Sequence, residues 1–294
     1  MIELIELDVN IKEHMENIRK AQKEETNAKT FLSAFIWAEP MDIKVYLESD
    51  MYAIKNNSHG KTAWNFPVGT EKAKLNFLNQ LLEVKGLMLM KLTRDDVDFI
   101  NKHFPNVFEI EENLDDSEYI YDSIEHAKMS GKKFNSLRRI INKFNRNHKV
   151  KTEILTNDNL YIADDIMRIW SDMHNSRGIL ETSGMEVDNI VIDHYMQADM
   201  IGVLIYVDDE PSAISIGYPL SENSCDIVET KYLPFINDIG YIVIEEFMKT
   251  FGNKYRYFNY EEDMGIQGLR TFKQRLKPCE LKMLYNAYLK GERK

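Results

Sequence analysis

The sequence predicts an α/β protein of two tandem domains, each a mixed β-sheet flanked by helices. The chain has 294 residues, and at roughly 100–200 residues per domain this length favours two domains over one. Both halves also share one order of predicted elements, in which three strands precede a helix, a strand and a helix. Successive strands on short turns predict an antiparallel part of each sheet, whereas strand–helix–strand units predict a parallel part.

The predicted N-terminal domain covers residues 1–118. Its elements are expected to be a helix at Ile11–Lys29, strands at Asp42–Leu47, Met51–Lys55 and Thr62–Val68, a helix at Glu71–Val84, a strand at Gly86–Lys91 and a helix at Arg94–His103. The run Asn56–Gly60 has the composition of a turn. The acid-rich stretch Glu109–Glu118 is interpreted as a link to the next domain.

The predicted C-terminal domain covers residues 119–294 and begins with a basic helix at 132–148. One apolar stripe of that helix is expected to face the core, and it comprises Phe134, Leu137, Ile141 and Phe144. The later elements are expected to be a helix at Asn159–Asn175, strands at Ile201–Val207, Ser212–Pro219 and Ser224–Lys231, a helix at Ile239–Phe251, a strand at Tyr255–Tyr260, a helix at Ile266–Leu276 and a strand at Cys279–Tyr285.

The composition argues against several classes of protein. The longest apolar runs, such as Ile201–Val207, are far shorter than the roughly 18 residues that a membrane-spanning helix requires. The acidic N-terminus lacks the pattern of a secretory signal. The two cysteines, Cys225 and Cys279, lie far apart and predict neither a disulfide nor a metal site. A cytoplasmic location is therefore expected, and the sequence leaves the oligomeric state open.

Charge is distributed unevenly along the chain. The net charge of −11 argues against indiscriminate binding to nucleic acid, yet residues 128–151 contain nine Lys or Arg and no acid. The rest of the chain holds 28 basic and 48 acidic residues. Arg139, Lys143 and Arg146 share one face of the predicted basic helix. That face could bind phosphates of a nucleic acid, a cofactor or a lipid headgroup, or it could pair with the acidic remainder of the chain.

A second concentration of polar residues lies where a predicted strand passes into a helix near Gly265. The segment contains Asn259, Glu261, Glu262, Asp263, Gly265, Gly268, Arg270 and Lys273. Its two glycines each disfavour a helix by about 1 kcal/mol relative to alanine, which suggests that a backbone or a ligand approaches closely. A helix N-terminus suits anions, and the following basic residues form a stripe that extends to Lys277. The sequence therefore predicts a functional site over residues 259–273.

A purely structural explanation of this segment is also open. Acidic residues before a helix can cap it, basic residues along a helix are usually solvated, and glycines can permit tight packing. Capping requires one carboxylate, however, and this segment carries three in succession. No metal-ligand spacing, phosphate-binding glycine loop or serine nucleophile motif is present in the sequence.

Three stretches together resemble the phosphatidylglycerol lysyltransferase C-terminal-domain family. The first is the string Asn259-x-Glu261-Glu262-Asp263-x-Gly265-x-x-Gly268-Leu269-Arg270-x-x-Lys273. The second is Lys132–Phe144, a basic run that ends in Ile141-Asn142-Lys143-Phe144. The third is Trp64-Asn65-Phe66-Pro67-Val68-Gly69, which is similar to the family's aromatic-Pro-x-Gly step. The resemblance covers most of the chain and is closest to soluble bacterial members.

This resemblance implies two tandem domains of the N-acetyltransferase (GNAT) fold and transfer of an amino acid from aminoacyl-tRNA. Characterised members of the family use a phospholipid headgroup as acceptor, and the basic helix would then have a polyanionic partner. The chain has no counterpart of the membrane-embedded portion of membrane-bound lysyltransferases. Ordinary acetyltransferases also carry a Q/R-x-x-G-x-G/A loop for the coenzyme A pyrophosphate. Here the equivalent step Leu233–Gly240 keeps only Gly240, which disfavours acetyl-CoA as donor.

The predicted function is therefore acyl or aminoacyl transfer to a lipid headgroup or a small amine or hydroxyl. Glu261, Glu262 and Asp263 are candidate bases, and Glu229, in the strand before the degenerate loop, is a further one. The remaining candidate residues would bind substrate, and they are Asn259, Gly265, Gly268, Arg270, Lys273, Arg139, Lys143 and Arg146. Two alternatives remain, namely an acetyl-CoA-dependent N-acetyltransferase with a divergent loop and a non-catalytic binding module on the same fold.

Overall fold

The structure is a computed structural model that describes residues 2–58, 61–175 and 183–291. The elements up to residue 122 are β1 (Ile5–Glu6), α1 (Lys12–Ala21), α2 (Phe31–Ile36), β2 (Lys44–Leu47), β3 (Met51–Ser58), β4 (Lys61–Asn65), β5 (Val68–Gly69), α3 (Glu71–Leu81), β6 (Met88–Leu92), α4 (Arg94–His103) and β7 (Phe108–Asp122). The later elements are α5 (Ser123–Lys128), α6 (Asn135–Asn147), β8 (Val150–Ile154), α7 (Leu160–Asn175), α8 (Ser183–Asp193), β9 (Ile201–Val207), β10 (Glu210–Pro219), β11 (Ser224–Tyr232), α9 (Ile239–Phe251), β12 (Tyr257–Asn259), α10 (Gln267–Arg275) and β13 (Glu280–Leu289).

The described residues pack into two compact units. The first unit contains residues 2–118, 262–265 and 282–291, apart from the pair 59–60 that lies outside the described residues. The second unit contains the described residues of 119–261 together with 266–281. Each unit has its own run of paired strands and its own buried hydrophobic clusters.

The sheet of the first unit combines antiparallel and parallel pairing. Strands β1 to β4 pair in succession and antiparallel, and β5 pairs with β3. The chain then passes through α3 and returns as β6, which runs parallel to β4 with Trp64 opposite Leu89. Strand β13 follows antiparallel, with Tyr285 opposite Leu92. Helix α3 contributes the buried residues Phe77 and Leu78 to the core beneath this sheet.

The sheet of the second unit follows the same plan. Strands β8 to β11 pair in succession and antiparallel. After α9 the chain returns as β12, which runs parallel to β11 with Ser224 opposite Tyr257. The end of β7 completes the sheet antiparallel to β12, with Asp122 opposite Tyr257. Helix α9 is buried along most of its length because nearly every residue from Ile239 to Met248 contacts the core.

Each unit is completed by a strand from a distant part of the chain. β7 follows α4 in sequence, but its last residues pair with β12 in the second unit. β13 follows α10 in sequence, but it pairs with β6 in the first unit. An antiparallel run, a parallel pair around a helix and an antiparallel closing strand are typical of the N-acetyltransferase fold. The predicted α/β fold class, with mixed sheets flanked by helices, is confirmed.

Several predicted elements are confirmed to the residue. Helix α4 spans Arg94–His103 as predicted, because a capping box fixes its first turn. In that box, the Asp96 backbone N–H donates to the Thr93 hydroxyl at 3.3 Å, and the Thr93 N–H donates to the Asp96 carboxylate at 2.9 Å. The predicted bounds of Ile201–Val207 and Ile239–Phe251 are also those of β9 and α9.

Two predictions about the N-terminal half are wrong. The helix predicted at Ile11–Lys29 ends at Ala21, because Lys23 has a left-handed backbone (φ 54°) that a helix does not accommodate. The supposed turn at Asn56–Gly60 belongs in part to β3, which extends to Ser58, and residues 59–60 lie outside the described residues.

The acid-rich stretch interpreted as a link is also a strand. Residues Glu109–Glu118 lie within β7, whose burial alternates at its start, with Phe108 buried and Glu109 exposed. The acids had the composition of a linker, but their alternation with Phe108 and Ile110 is that of a half-buried strand. The interpretation as a link relied on the acidic composition of this stretch and gave too little weight to its period-two pattern. Five further elements were not predicted from the sequence, and they are β1, α2, α5, β8 and α8.

Candidate functional site

The segment that follows β12 is a loop shaped by its own polar side chains. The Asn259 side-chain oxygen accepts a hydrogen bond from the backbone N–H of Glu261 at 2.9 Å. The Asp263 carboxylate accepts one from the N–H of Gly265 at 2.9 Å. Both side chains are buried, and Glu261 and Met264 have left-handed backbones (φ 53° for each). Asn259 and Asp263 therefore hold the loop in shape through Asx turns.

The two glycines of the segment have different surroundings. Gly265 has φ +73°, and a Cβ atom there would lie 2.9 Å from the carboxylate of Asp115. Apart from its chain neighbours and its own helix, no described residue has an atom within 4 Å of the position that a Cβ of Gly268 would take. Helix α10 begins at Gln267, one residue after the predicted start at Ile266. The close approach predicted from the two glycines thus holds for the backbone around Gly265, whereas Gly268 faces open space.

Glu262 takes part in an ion-pair cluster of the first unit. The Lys91 ammonium lies 3.1 Å from Glu262 Oε1 and 3.1 Å from Asp116 Oδ1. Lys91 is buried and has a left-handed backbone (φ 56°). Burial opposes its charge, but the two carboxylates prevail and raise the pKa of Lys91 above its usual range. Glu262 therefore has a structural partner in addition to any chemical role.

Lys273 lies inside the second unit. Its ammonium donates a hydrogen bond to the backbone carbonyl of Tyr260 and lies 4.5 Å from the centroid of the Tyr260 ring. Its own backbone carbonyl accepts from the Tyr121 hydroxyl at 2.8 Å. Arg270, on the same helix, is half-buried. The predicted basic stripe does not reach Lys277, which follows the end of α10 with a left-handed backbone (φ 64°).

Strands β11 and β12 separate at the level of the loop. They pair only from Ser224–Asp226 to Tyr257–Asn259, and β11 then continues to Tyr232 without β12 beside it. The register between β10 and β11 shifts within this stretch, since Ile216 lies opposite Glu229 and the next residue opposite Ile227. Such a β-bulge re-aims side chains and is frequent beside active sites. Glu229, predicted from the sequence as a base, follows the bulge directly.

Glu229 belongs to a charged cluster that the sequence analysis did not find. The Lys231 ammonium lies 3.2 Å from Glu229 Oε1 and 3.2 Å from Asp188 Oδ1. The same ammonium lies 3.9 Å from the centroid of the Trp170 ring. The Ser171 hydroxyl donates to Asp188 Oδ2 at 3.0 Å. β11 supplies the glutamate and the lysine at spacing i, i+2, whereas α7 and α8 supply their surroundings.

The cluster shifts the acidity of Asp188. Burial, followed by the charge of Glu229, raises the pKa of Asp188 from 3.8 to about 7, against the opposing effects of Lys231 and Ser171. Burial opposes the charge of Lys231 as well, but the two carboxylates raise its pKa above 10.5. The spacing of Glu229 and Lys231 on one strand face was a signal visible in the sequence. The contribution of α8 was not visible, because that helix was not predicted.

The basic helix α6 presents a cationic surface in the second unit. The buried face of this helix consists of Leu137, Ile141 and Phe144, as predicted. The helix begins at Asn135 rather than at the predicted Lys132. On the opposite face is an open depression of about 610 Å³, and its described lining consists of Arg139, Asn142, Lys143, Asn145 and Arg146. No described residue of 259–273 is among them.

This surface differs from its flanks in its ion pairs. Lys133 pairs with Glu125, and Lys149 pairs with Asp209 at 2.9 Å. Within residues 2–58, 61–175 and 183–291, neither Arg139 nor Lys143 has an ion-pair partner. The interpretation of this face as one that pairs with the acidic remainder of the chain therefore does not apply to these two residues, as far as the described residues extend.

The loop Leu233–Gly240 leads into the N-terminus of α9. The residue that precedes this helix, Asp238, has a left-handed backbone (φ 67°), and its side chain forms no capping hydrogen bond. A carboxylate at this position would repel a pyrophosphate bound at the N-terminus of α9. Gly240 is explained by packing, because a Cβ atom there would lie 3.1 Å from the ring of Tyr232 and 3.2 Å from that of Phe272.

None of the helices described combines the length and apolar character needed to cross a bilayer. In the same part of the chain, no group of His, Cys, Asp and Glu side chains is arranged to hold a metal ion.

An antiparallel run of strands that leads through a helix into a parallel pair is the arrangement of a GNAT-like fold of the acyltransferase type. Residues 19–288 match the protein family described as phosphatidylglycerol lysyltransferase, C-terminal. The chain therefore belongs to this family. A search of curated protein sequences gave no match.

Solved structures are similar to the chain over nearly its whole length. A conserved protein of unknown function from Bacteroides thetaiotaomicron VPI-5482 has 20% identity and a TM-score of 0.89, with 99% of this chain and 100% of that chain covered. L-PGS from Bacillus licheniformis has 17% identity and a TM-score of 0.65, with 97% and 93% covered. FemX has 9% identity and a TM-score of 0.59, with 98% and 97% covered. At these identities the likenesses concern the fold.

Proposed function

We propose that the chain transfers an aminoacyl group from an aminoacyl-tRNA to an amine or hydroxyl acceptor. The observation that carries the choice of donor is the cationic surface of α6, on which Arg139 and Lys143 have no ion-pair partner among the described residues. Exposed cations without partners suit a polyanion, since each phosphate contact releases counterions. Family membership supports the reaction class, and a phospholipid headgroup is one acceptor that it allows. A cytoplasmic location stays a prediction.

In this proposal the chemistry takes place where β11 leaves β12. Glu229 accepts the proton of the acceptor's N–H or O–H, and the freed lone pair attacks the ester carbonyl of the donor. A new bond to the acyl carbon forms, and the ester C–O bond then breaks. The proton is finally passed to the departing ribose hydroxyl. Glu229 is well placed because its side chain is only 14% exposed, yet it lies on the stretch of β11 that still pairs with β10 but has left β12.

The segment 259–273 has supporting roles in the same proposal. Arg270, which is half-buried, contacts the phosphate of the donor or the oxyanion that develops during attack. Lys273 holds the Tyr260 carbonyl and so fixes the end of β12. The open space at Gly268 admits the donor at the start of α10. Asn259 keeps the start of the loop in shape, and Glu261 orients a cationic acceptor. Glu262, Asp263 and Gly265 belong to the first unit, where Glu262 pairs with Lys91 and Asp263 holds Gly265 in its turn.

The tRNA contact is tested by reversing charge on α6. In the variant Lys143→Glu/Arg146→Glu, we expect the slope of log K for tRNA binding against log salt to become shallower by about 2, or about 1 per lost phosphate contact. Lys149→Glu is the matched control, because Lys149 is exposed and already paired with Asp209. Its slope should change by less than that of the α6 variant. An unchanged slope in the double variant would exclude α6 as the tRNA surface.

Two other outcomes would lead to different functions. A rise in Tm with acetyl-CoA, and none with aminoacyl-tRNA, would favour a coenzyme A-dependent N-acetyltransferase, because a ligand stabilises the state that it binds. Retained cellular function after alanine substitution of Glu229, Glu261 and Arg270 would favour a non-catalytic binding module.

A further inference from the structure

The buried cluster around Lys231 has more negative than positive charge. Among the described residues, Lys231 is the single ammonium between two carboxyl groups, those of Glu229 and Asp188. All three side chains are largely buried, with exposed fractions of 14% for Glu229, 10% for Lys231 and 7% for Asp188. Burial makes an uncompensated charge costly. With both carboxyl groups ionised, the cluster formed by the described side chains is one positive charge short of neutrality.

The two oxygens of Glu229 have different surroundings. Oε1 accepts from the Thr230 backbone N–H at 3.0 Å and lies 3.2 Å from the Lys231 ammonium. Oε2 has no hydrogen-bond or ion-pair partner among the residues that the structure describes. Lys231 is held in turn by Asp188 and by the face of Trp170, an arrangement that favours a cation. The lysine therefore fixes one oxygen of Glu229 and leaves the other available.

We propose that Oε2 of Glu229 binds the primary ammonium group of a substrate, and that this cation completes the charge balance of the Glu229–Lys231–Asp188 cluster. The inference rests on the proposed function in taking the Glu229 region as the reaction site, and it deepens that function by assigning a substrate class. A bound ammonium would also stand where Glu229 can accept its proton before attack. A hydroxyl acceptor without an amine would bind less well.

Such binding is linked to a proton on Asp188. The groups that act on this carboxyl are Glu229 and Lys231 on β11 and Ser171 on α7, and Glu229 also acts on the phenol of Tyr260. In the free protein a proton on Asp188 offsets the missing positive charge, in agreement with its pKa of about 7. A cation at Glu229 removes the need for that proton. Binding below pH 7 should therefore release it.

The test is calorimetric titration of the full chain with n-butylammonium chloride, with 1-butanol as the neutral counterpart at matched ionic strength. Buffers of different ionisation enthalpy report the number of protons released. We expect the amine to bind and the alcohol not to, with release of up to about one proton per ligand near pH 6 and almost none above pH 8. Equal binding of amine and alcohol would overturn the proposal, whatever the behaviour of the variants.

Two variants locate the site. Glu229→Gln should weaken amine binding about tenfold or more, because it replaces the carboxylate by a neutral amide. Asp188→Asn should retain amine binding but lose the proton release. Unchanged binding in Glu229→Gln, or unchanged release in Asp188→Asn, would contradict the assignment. Because no tRNA or acyl donor is present, a failed titration leaves the transferase proposal open, and failed transfer leaves the ammonium site open.

Discussion

Gly265 shows how much of the candidate segment is set by backbone geometry. Its φ of +73° lies in the left-handed region, and the Asp115 carboxylate occupies the space beside it. The sequence showed two glycines three residues apart and predicted a close approach at both. It could not show which of the two glycines has a left-handed backbone, because the φ of Gly265 depends on the turn that the Asp263 side chain stabilises. The two glycines therefore require separate experiments.

We expect Gly265→Ala to lower the free energy of unfolding by about 1–3 kcal/mol, since a Cβ atom adds left-handed strain and a contact at 2.9 Å with Asp115. Gly268→Ala is the matched control. It adds a side chain in open space within α10 and should be neutral or stabilise by up to about 1 kcal/mol. Urea denaturation measures both. A similar loss in the two variants would refute the distinction.

At the scale of elements, the site depends on contacts that join β11 to α7 and α8. The sequence could predict β11 and Glu229, because a strand is visible in local periodicity. Lys231 is two residues further on the same strand, but its partner Asp188 comes from α8, which was not predicted. Which helices pack over a strand is decided by tertiary contacts. Only the β11 part of the cluster could therefore be predicted from the sequence.

The burial of Asp188 near Glu229 also makes stability depend on pH. The folded pKa of Asp188 is raised from 3.8 to about 7, so between these values the folded state binds more protons than the unfolded state. Its contribution to stability therefore falls as pH rises through this window, by about 1.4 kcal/mol for each unit of pKa difference. Between pH 5 and pH 8, the free energy of unfolding should therefore fall less in Asp188→Asn than in the parent protein. Denaturation at several pH values measures it in both proteins. If the two proteins lost the same free energy of unfolding over this pH range, the raised pKa of Asp188 would be contradicted.

At the scale of the whole molecule, the first unit contains a strand, β13, that is not adjacent in sequence to the rest of that unit. The repeated order of elements was readable from the sequence. The placement of β13 against β6 was not, because a strand carries no local signal of which neighbour it pairs with. The supposed link at Glu109–Glu118 was missed for a related reason, since it is a strand whose pairing lies elsewhere in the sequence.

A fragment of residues 1–118 should therefore not fold cooperatively, because it leaves β6 without its β13 neighbour and removes Glu262 from Lys91. The same fragment joined through a flexible linker to residues 280–291 should regain a cooperative thermal transition. Differential scanning calorimetry compares the two. A sharp transition of equal Tm in the shorter fragment would show that β13 is dispensable for the first unit.

The origin of β13 has a consequence for synthesis in the cell. The ribosome makes the first unit's helices and most of its strands early, but the strand that covers β6 is translated only after α10, the last helix of the second unit. Until those residues leave the exit tunnel, the edge of β6 has no partner from its own chain. Nascent chains must therefore keep this edge from pairing with other molecules, and a truncated translation product would expose it permanently.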